Sequence, residues 1–157
     1  MLSHPDAALV ERDQALPGLA LVLDPGALLA ALQNALPGVQ IGVARSTYVR
    51  YKPGMNCLVA YELEVNGWTI TAYAKAFGPD AQVKLDNARK KASVSSLLGP
   101  GRVVLDEPQV AVSVLPNDGK LKHLHHLFDT EERPELLSAL LADRRRFRYG
   151  SLHTLRY

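Results

Sequence analysis

Hydrophobic and polar positions alternate most regularly between Val39 and Phe77. In a first run Val39, Ile41, Val43, Thr47, Val49 and Tyr51 share one parity, and in a second Cys57, Val59, Tyr61, Leu63 and Val65 do. Successive strand side chains point to opposite faces, so this period predicts strands with one face buried and the other open. Lys52-Pro53-Gly54-Met55-Asn56 supplies a first turn. Asn66-Gly67 supplies a second, because both residues tolerate the positive φ of a tight hairpin. The third strand then carries Thr69, Thr71, Tyr73, Lys75 and Phe77 on one side and Trp68, Ile70, Ala72, Ala74 and Ala76 on the other. Lys75 is the one charged residue in that strand.

On either side the period changes. A short helix is expected from about Pro5 to Ala15, capped by Ser3 or Asp6 and ended by Leu16-Pro17-Gly18. Leu19 to Leu23 reads as a short extended or buried piece. Asp24-Pro25 opens a second helix, with aspartate at the cap and proline in the first turn. Leu28, Leu29, Leu32 and Leu36 lie on one face of it, and Leu36-Pro37-Gly38 stops it. Beyond the strands, Gly78-Pro79-Asp80 breaks the chain and caps a helix expected to reach Leu98, with Leu85, Ala88, Ala92 and Leu97-Leu98 as its inner stripe. Two further strands are expected at Arg102–Leu105 and Gln109–Leu115, then helices at Lys120–Phe128 and from Glu131 to about Arg144. The fold class is therefore α+β, an antiparallel five-stranded sheet with helices on one side. The organisation is a helical segment over 1–38, sheet and helix over 39–120, and C-terminal helices and tail over 121–157, all in one compact domain.

Composition narrows the function classes without choosing among them. A chain of 157 residues with 47% hydrophobic and 22% charged residues is long enough to bury a core and too apolar to be disordered. Net charge is +2, which argues against a nucleic-acid binder unless a local patch acts. The single cysteine, Cys57, leaves no internal disulfide and fits a cytoplasmic location. No signal-like segment opens the chain, and its apolar runs, such as Leu19–Leu23, are far too short to cross a bilayer.

The segment Tyr51-Lys52-Pro53-Gly54-Met55-Asn56-Cys57-Leu58-Val59-Ala60-Tyr61, followed by Tyr73-Ala74-Lys75, a helix and two more strands, resembles the N-terminal lobe of aminoglycoside phosphotransferase and choline kinase-like proteins, a protein-kinase-like architecture. The resemblance covers roughly residues 39–120. It implies that Lys75 contacts nucleotide phosphates and is held by an acidic residue on the next helix. Residues 80–98 contain no glutamate, so Asp86 is the partner expected for Lys75. Lys52 and Gly54 at the turn, and Asn117 near the connection between lobes, complete the expected nucleotide-binding set. ATP and Mg²⁺ are implied only where a catalytic lobe exists; the chain alone leaves the cofactor unknown.

The departures from that family are specific. The turn at Lys52–Asn56 has one glycine and cannot wrap a triphosphate with backbone amides as a glycine-rich loop does. Tyr73 stands where a small residue is usual under adenine. No His-x-Asp loop followed by asparagine and no Asp-Phe-Gly-like metal site is present, so no catalytic residue and no metal ligand is assigned. The implied partners are a nucleotide or small metabolite, and a catalytic lobe or a second copy of the chain. The alternative is a non-enzymatic interaction or dimerisation domain using the open face that bears Tyr73, Lys75 and Phe77. His123, His126 and Asp129 are spaced three apart, but surface histidines account for them without a metal. Arg144, Arg145, Arg146 and Arg148, with Phe147 and Tyr149, form the one dense basic cluster, accounted for as a solvated helix end. Thr154-Leu155-Arg156-Tyr157 echoes Tyr48-Val49-Arg50-Tyr51, which would suit either a free-standing lobe or a piece of a longer enzyme.

Overall fold

Alternation in the central stretch becomes a meander of β1 (Ile41–Lys52), β2 (Asn56–Val65) and β3 (Trp68–Phe77). A computed structural model describes residues 1–91, 93–118, 121, 124–129 and 131–140. Two further strands, β4 (Arg102–Leu105) and β5 (Val110–Val114), extend the meander to a five-stranded antiparallel sheet of order β1-β2-β3-β5-β4. Asn66 and Gly67 both take positive φ, 50° and 80°, and Val65 pairs with Trp68 across them, as a tight hairpin requires. At the first turn Pro53 precedes Gly54, whose φ is +64°, and the Met55 amide donates to the Lys52 carbonyl at 3.0 Å.

The helices are α1 (His4–Arg12), α2 (Leu19–Leu23), α3 (Pro25–Ala35), α4 (Ala81–Lys90), α5 (Leu124–Phe128) and α6 (Arg133–Leu140). Ser3 caps α1, accepting from the Asp6 amide. Asp24 caps α3, accepting from the Gly26 and Ala27 amides at 2.9 and 3.3 Å. Leu19–Leu23 is helical, not extended. A five-residue apolar run carries no period of its own, and packing decides: Leu19 and Val22, three apart, are both buried in the core. The fourth helix ends at Lys90, well short of Leu98. The chain turns instead at Ser96–Gly99, where Gly99 has φ +85°, and sends Leu98 into a different part of the core.

The chain forms two compact units, Met1–Leu115 and Pro116–Tyr157. In the first, Leu16, Leu19, Val22, Leu28 and Leu32 from the N-terminal helical region meet Cys57, Val59, Tyr61, Leu63 and Val65 of β2, Ala72, Ala74 and Ala76 of β3, and Val110, Val112 and Val114 of β5. The Tyr61 hydroxyl, buried beneath α2, donates to the Val22 carbonyl at 2.7 Å. The opposite face carries a second cluster, in which Ala81 and Leu85 of α4 pack on Phe77 and Ala111. Helices therefore cover both faces, and the expectation of helices on one side is corrected. Period-two alternation marks a sheet's two faces but not which later element will cover each.

A second correction concerns β1. Its register against β2 shifts between Ile41 and Ala44 and again between Ser46 and Tyr48. Each bulge reverses the parity of the residues beyond it, so Val43 is half exposed rather than sharing a buried face with Ile41. Residues Tyr48–Lys52 run straight against Asn56–Ala60. In the second unit, Asp129 accepts from the Glu131 and Glu132 amides at 2.8 and 3.1 Å, just ahead of α6. No helix among the described residues is long and apolar enough to cross a membrane.

Candidate functional site

Strand register fixes which side chains lie side by side on the face that α4 flanks. Arg50 pairs with Leu58, Leu58 with Lys75, Lys75 with Ala111 and Ala111 with Val104. One row along, Tyr48, Ala60, Tyr73, Ser113 and Arg102 succeed each other across the same strands. Neighbouring strands lie about 4.8 Å apart, which sets the backbones of Arg50 and Lys75 roughly 10 Å from each other with Leu58 between them. Tyr48 and Tyr73 are separated in the same way by Ala60, which is buried. Lys75 is half-buried, and its Nζ sits 5.1 Å from the centroid of the Phe77 ring.

The position of α4 beside these rows is set by Arg102. Its Nε donates to Ser113 Oγ at 3.1 Å, and its Nη1 donates to the Ala88 and Lys91 carbonyls at 3.1 and 3.2 Å. A guanidinium thus satisfies carbonyls at the helix C-terminus, where a cation also complements the dipole. Partial burial pulls the Arg102 pKa downward. Sequence reasoning passed over this residue, because a basic residue opening a strand gives no sign that it will reach a helix end.

The expected site residues do not assemble as expected. Lys52 is exposed and pairs with Asn56, which pairs in turn with Phe77. The Asn56 Oδ1 is buried there without a hydrogen-bond partner. The Gly54 amide donates to Asp13 Oδ2 at 2.8 Å, and the Tyr51 hydroxyl donates to the same oxygen at 2.6 Å. Tyr51 pairs with Cys57, so this clasp lies on the face of α1–α3, away from Lys75. A resident carboxylate thus takes the Gly54 amide that the sequence expectation assigns to a phosphate. The bonds from Tyr51 and Gly54 hold the Asp13 carboxyl below its ordinary pKa, and the carboxylate holds the Tyr51 phenol above its own. Asp13 comes after a helix and before a Leu-Pro-Gly stop, and nothing local calls for an acid there.

Asp86 is likewise engaged elsewhere. It accepts from Arg89 Nη1 at 2.8 Å and from Gln82 Nε2 at 3.1 Å, and Arg89 also pairs with Asp106. Among the ion pairs of the described residues, Asp86 is joined to Arg89 and not to Lys75, the partner expected from the sequence. A cation three residues along lies on the same helix surface, within direct reach of the carboxylate. Asn117 belongs to the second unit and is buried, at 8% exposure.

No protein-family model, curated protein or solved structure matches this chain.

The histidine cluster falls partly outside the described residues, since His123 is not among them. His125 and His126 rings lie 4.0 Å apart, His126 pairs with Glu132, and Asp129 is occupied by the amides ahead of α6. Among the described residues no group of three or more His, Cys, Asp or Glu converges as metal ligands would. Arg144, Arg145, Arg146, Phe147, Arg148 and Tyr149, and the tail to Tyr157, lie outside the described residues.

Proposed function

We propose that the Met1–Leu115 unit is an N-lobe-like domain of the small-molecule phosphotransferase kind, non-catalytic as this chain alone, which holds a phosphate-bearing planar ligand such as a nucleotide on the Lys75 face. The observation that carries the reading is the pair of adjacent rows, cations flanking Leu58 in one and tyrosines flanking Ala60 in the next. Positions two residues apart along a strand are separated by roughly 6.8 Å. That is the scale on which a ring lying over Ala60 and a phosphate between Arg50 and Lys75 belong to one small molecule. Stacking of a ring on an aromatic side chain contributes about 1–3 kcal/mol, and two cations converging on phosphate add charge-assisted hydrogen bonds. The succession of three meandering strands, a helix beside the lysine-bearing face and two further strands supports the same kinship.

Chemistry on the phosphate would require a positioning aspartate and metal ligands, which the sequence does not supply in the family's pattern. A separate catalytic lobe would have to bring them. Without one, this unit binds and orients.

The test is the melting temperature with and without Mg²⁺-ATP, for the wild type, Lys75→Ala and Arg50→Ala. Ligand at 100 times its Kd stabilises by about 2.7 kcal/mol, a rise of several degrees. The reading expects that rise in the wild type and its loss in both variants. No rise in the wild type would overturn it and leave the interaction-domain alternative.

A further inference from the structure

The outer edge of β1 offers a second interaction surface, which shares Tyr48 and Arg50 with the ligand rows but does not include Tyr73 or Lys75. In the strand order this strand lies at one end of the sheet, and over Tyr48–Lys52 it is straight, its register against β2 unbroken. In an antiparallel ladder every second residue of an edge strand turns its amide and carbonyl outward. Tyr48 and Val49 are 53% and 48% exposed, and Arg50 and Lys52 are exposed beside them. Arg45, Arg50 and Lys52 project from the same face of this strand, and the strand contains no acidic residue. None of the ion pairs among the described residues involves these cations.

We infer that this edge receives an extended segment of another protein carrying acidic side chains at alternate positions, added to the sheet as a sixth strand. The backbone edge supplies the hydrogen bonds, and Arg50 and Lys52 supply the register by meeting carboxylates on their own face. Charge decides between this occupant and a second copy of the chain. A copy of β1 would bring three further cations and no carboxylate against the same edge. Cations on edge strands deter such self-pairing, and the same charges attract an acidic strand. The bulge between Ser46 and Tyr48 sets the limit of the docking stretch, since the ladder is irregular before it.

The probe is a fluorescein-labelled peptide, acetyl-Glu-Thr-Glu-Val-Glu-Thr-Glu-amide, with binding followed by anisotropy. A Lys-for-Glu peptide and two versions N-methylated at alternate residues, one in each phase, serve as controls. The acidic peptide is expected to bind. At least one N-methylated version and the basic peptide should fail, and binding to the Arg50→Glu, Lys52→Glu double variant should weaken by about tenfold or more. Lys75→Ala should bind the peptide as the wild type does, which separates this edge from the ligand site. Undiminished binding of both N-methylated peptides, or of the acidic peptide to the charge-reversed variant, would overturn the proposal. So would a concentration-dependent dimer with which the peptide competes, because the edge would then belong to a second copy. The N-methylated peptides leave the protein unaltered, so the result does not depend on the variant's folding.

Discussion

Asp13 shows how one side chain sets the reach of a turn. Its carboxylate accepts from the Tyr51 hydroxyl and the Gly54 amide through one oxygen, and from the Ala15 amide at 3.3 Å through the other. The β1–β2 turn is thereby tied to the end of α1 rather than left to close over the Lys75 face. Because the folded-state pKa of Asp13 is lowered, its contribution is present above the unfolded value, near 3.8, and is lost as pH falls through the folded one. Tyr51 runs the other way: its raised pKa means that its contribution is complete below its ordinary 10.0 and is lost at higher pH. Asp13→Ala should lower the melting temperature by roughly 2–5 °C at pH 7. The gap from wild type should narrow as pH falls below 3.8, and thermal unfolding across the acid and neutral range measures it. A gap that stays constant into the acid range would show that Asp13 acts by packing rather than by charge. Lys75 illustrates the complementary point. Its strand position and face were readable from alternation, but its expected partner was not. Asp86 sits on a helix surface with Arg89 three residues away, and that local pair forms instead.

At the scale of elements, the meander and its turns derive closely from local chemistry. Asn66-Gly67 takes the conformation its residue types favour, and Ala72, Ala74 and Ala76 are buried as the parity of β3 requires. Alanines on that face let the helical layer approach closely, and Gly18 is a point of close approach. A Cβ on Gly18 would collide with the Pro108 carbonyl oxygen and Val110 Cγ2, and would stand 3.2 Å from Ala76 Cβ. The Pro108 carbonyl oxygen and the Ala76 Cβ are fixed to the backbone and cannot swing aside. Gly18→Ala should therefore destabilise by about 1–3 kcal/mol, read as a lower urea midpoint with an unchanged slope. Gly26→Ala, where the nearest atom is Asp24 Oδ1 at 3.3 Å, is the milder comparison. The α4 boundary was misjudged for a reason of the same kind. Leu97 and Leu98 continue a helical stripe in sequence, yet the Ser96–Gly99 turn buries Leu98 while Leu97 stays exposed.

At the scale of the whole molecule, Cys57 reports on the core of the first unit. It is fully buried among residues from the helical layer and the sheet, and burial pushes its thiol up to about 11. Only the thiolate reacts readily, so both access and ionisation oppose modification. Native protein should resist a thiol reagent at pH 8, and labelling should begin only with the cooperative unfolding of Met1–Leu115. Rapid labelling without loss of circular dichroism would place a local opening at β2.

The sequence by itself determined the α+β class, the three-strand meander, its two turns and the face on which Lys75 projects. These rest on interactions between residues a few positions apart, in which side-chain period and turn preference act directly. Only the tertiary structure decided that α4 covers the opposite face from α1–α3, that bulges reset the parity of β1, that Asp13 holds the turn, and that Asp86 pairs with Arg89. Each of those outcomes depends on which groups meet after the chain has closed on itself, where a nearer or better-shielded partner displaces the one that spacing alone suggests.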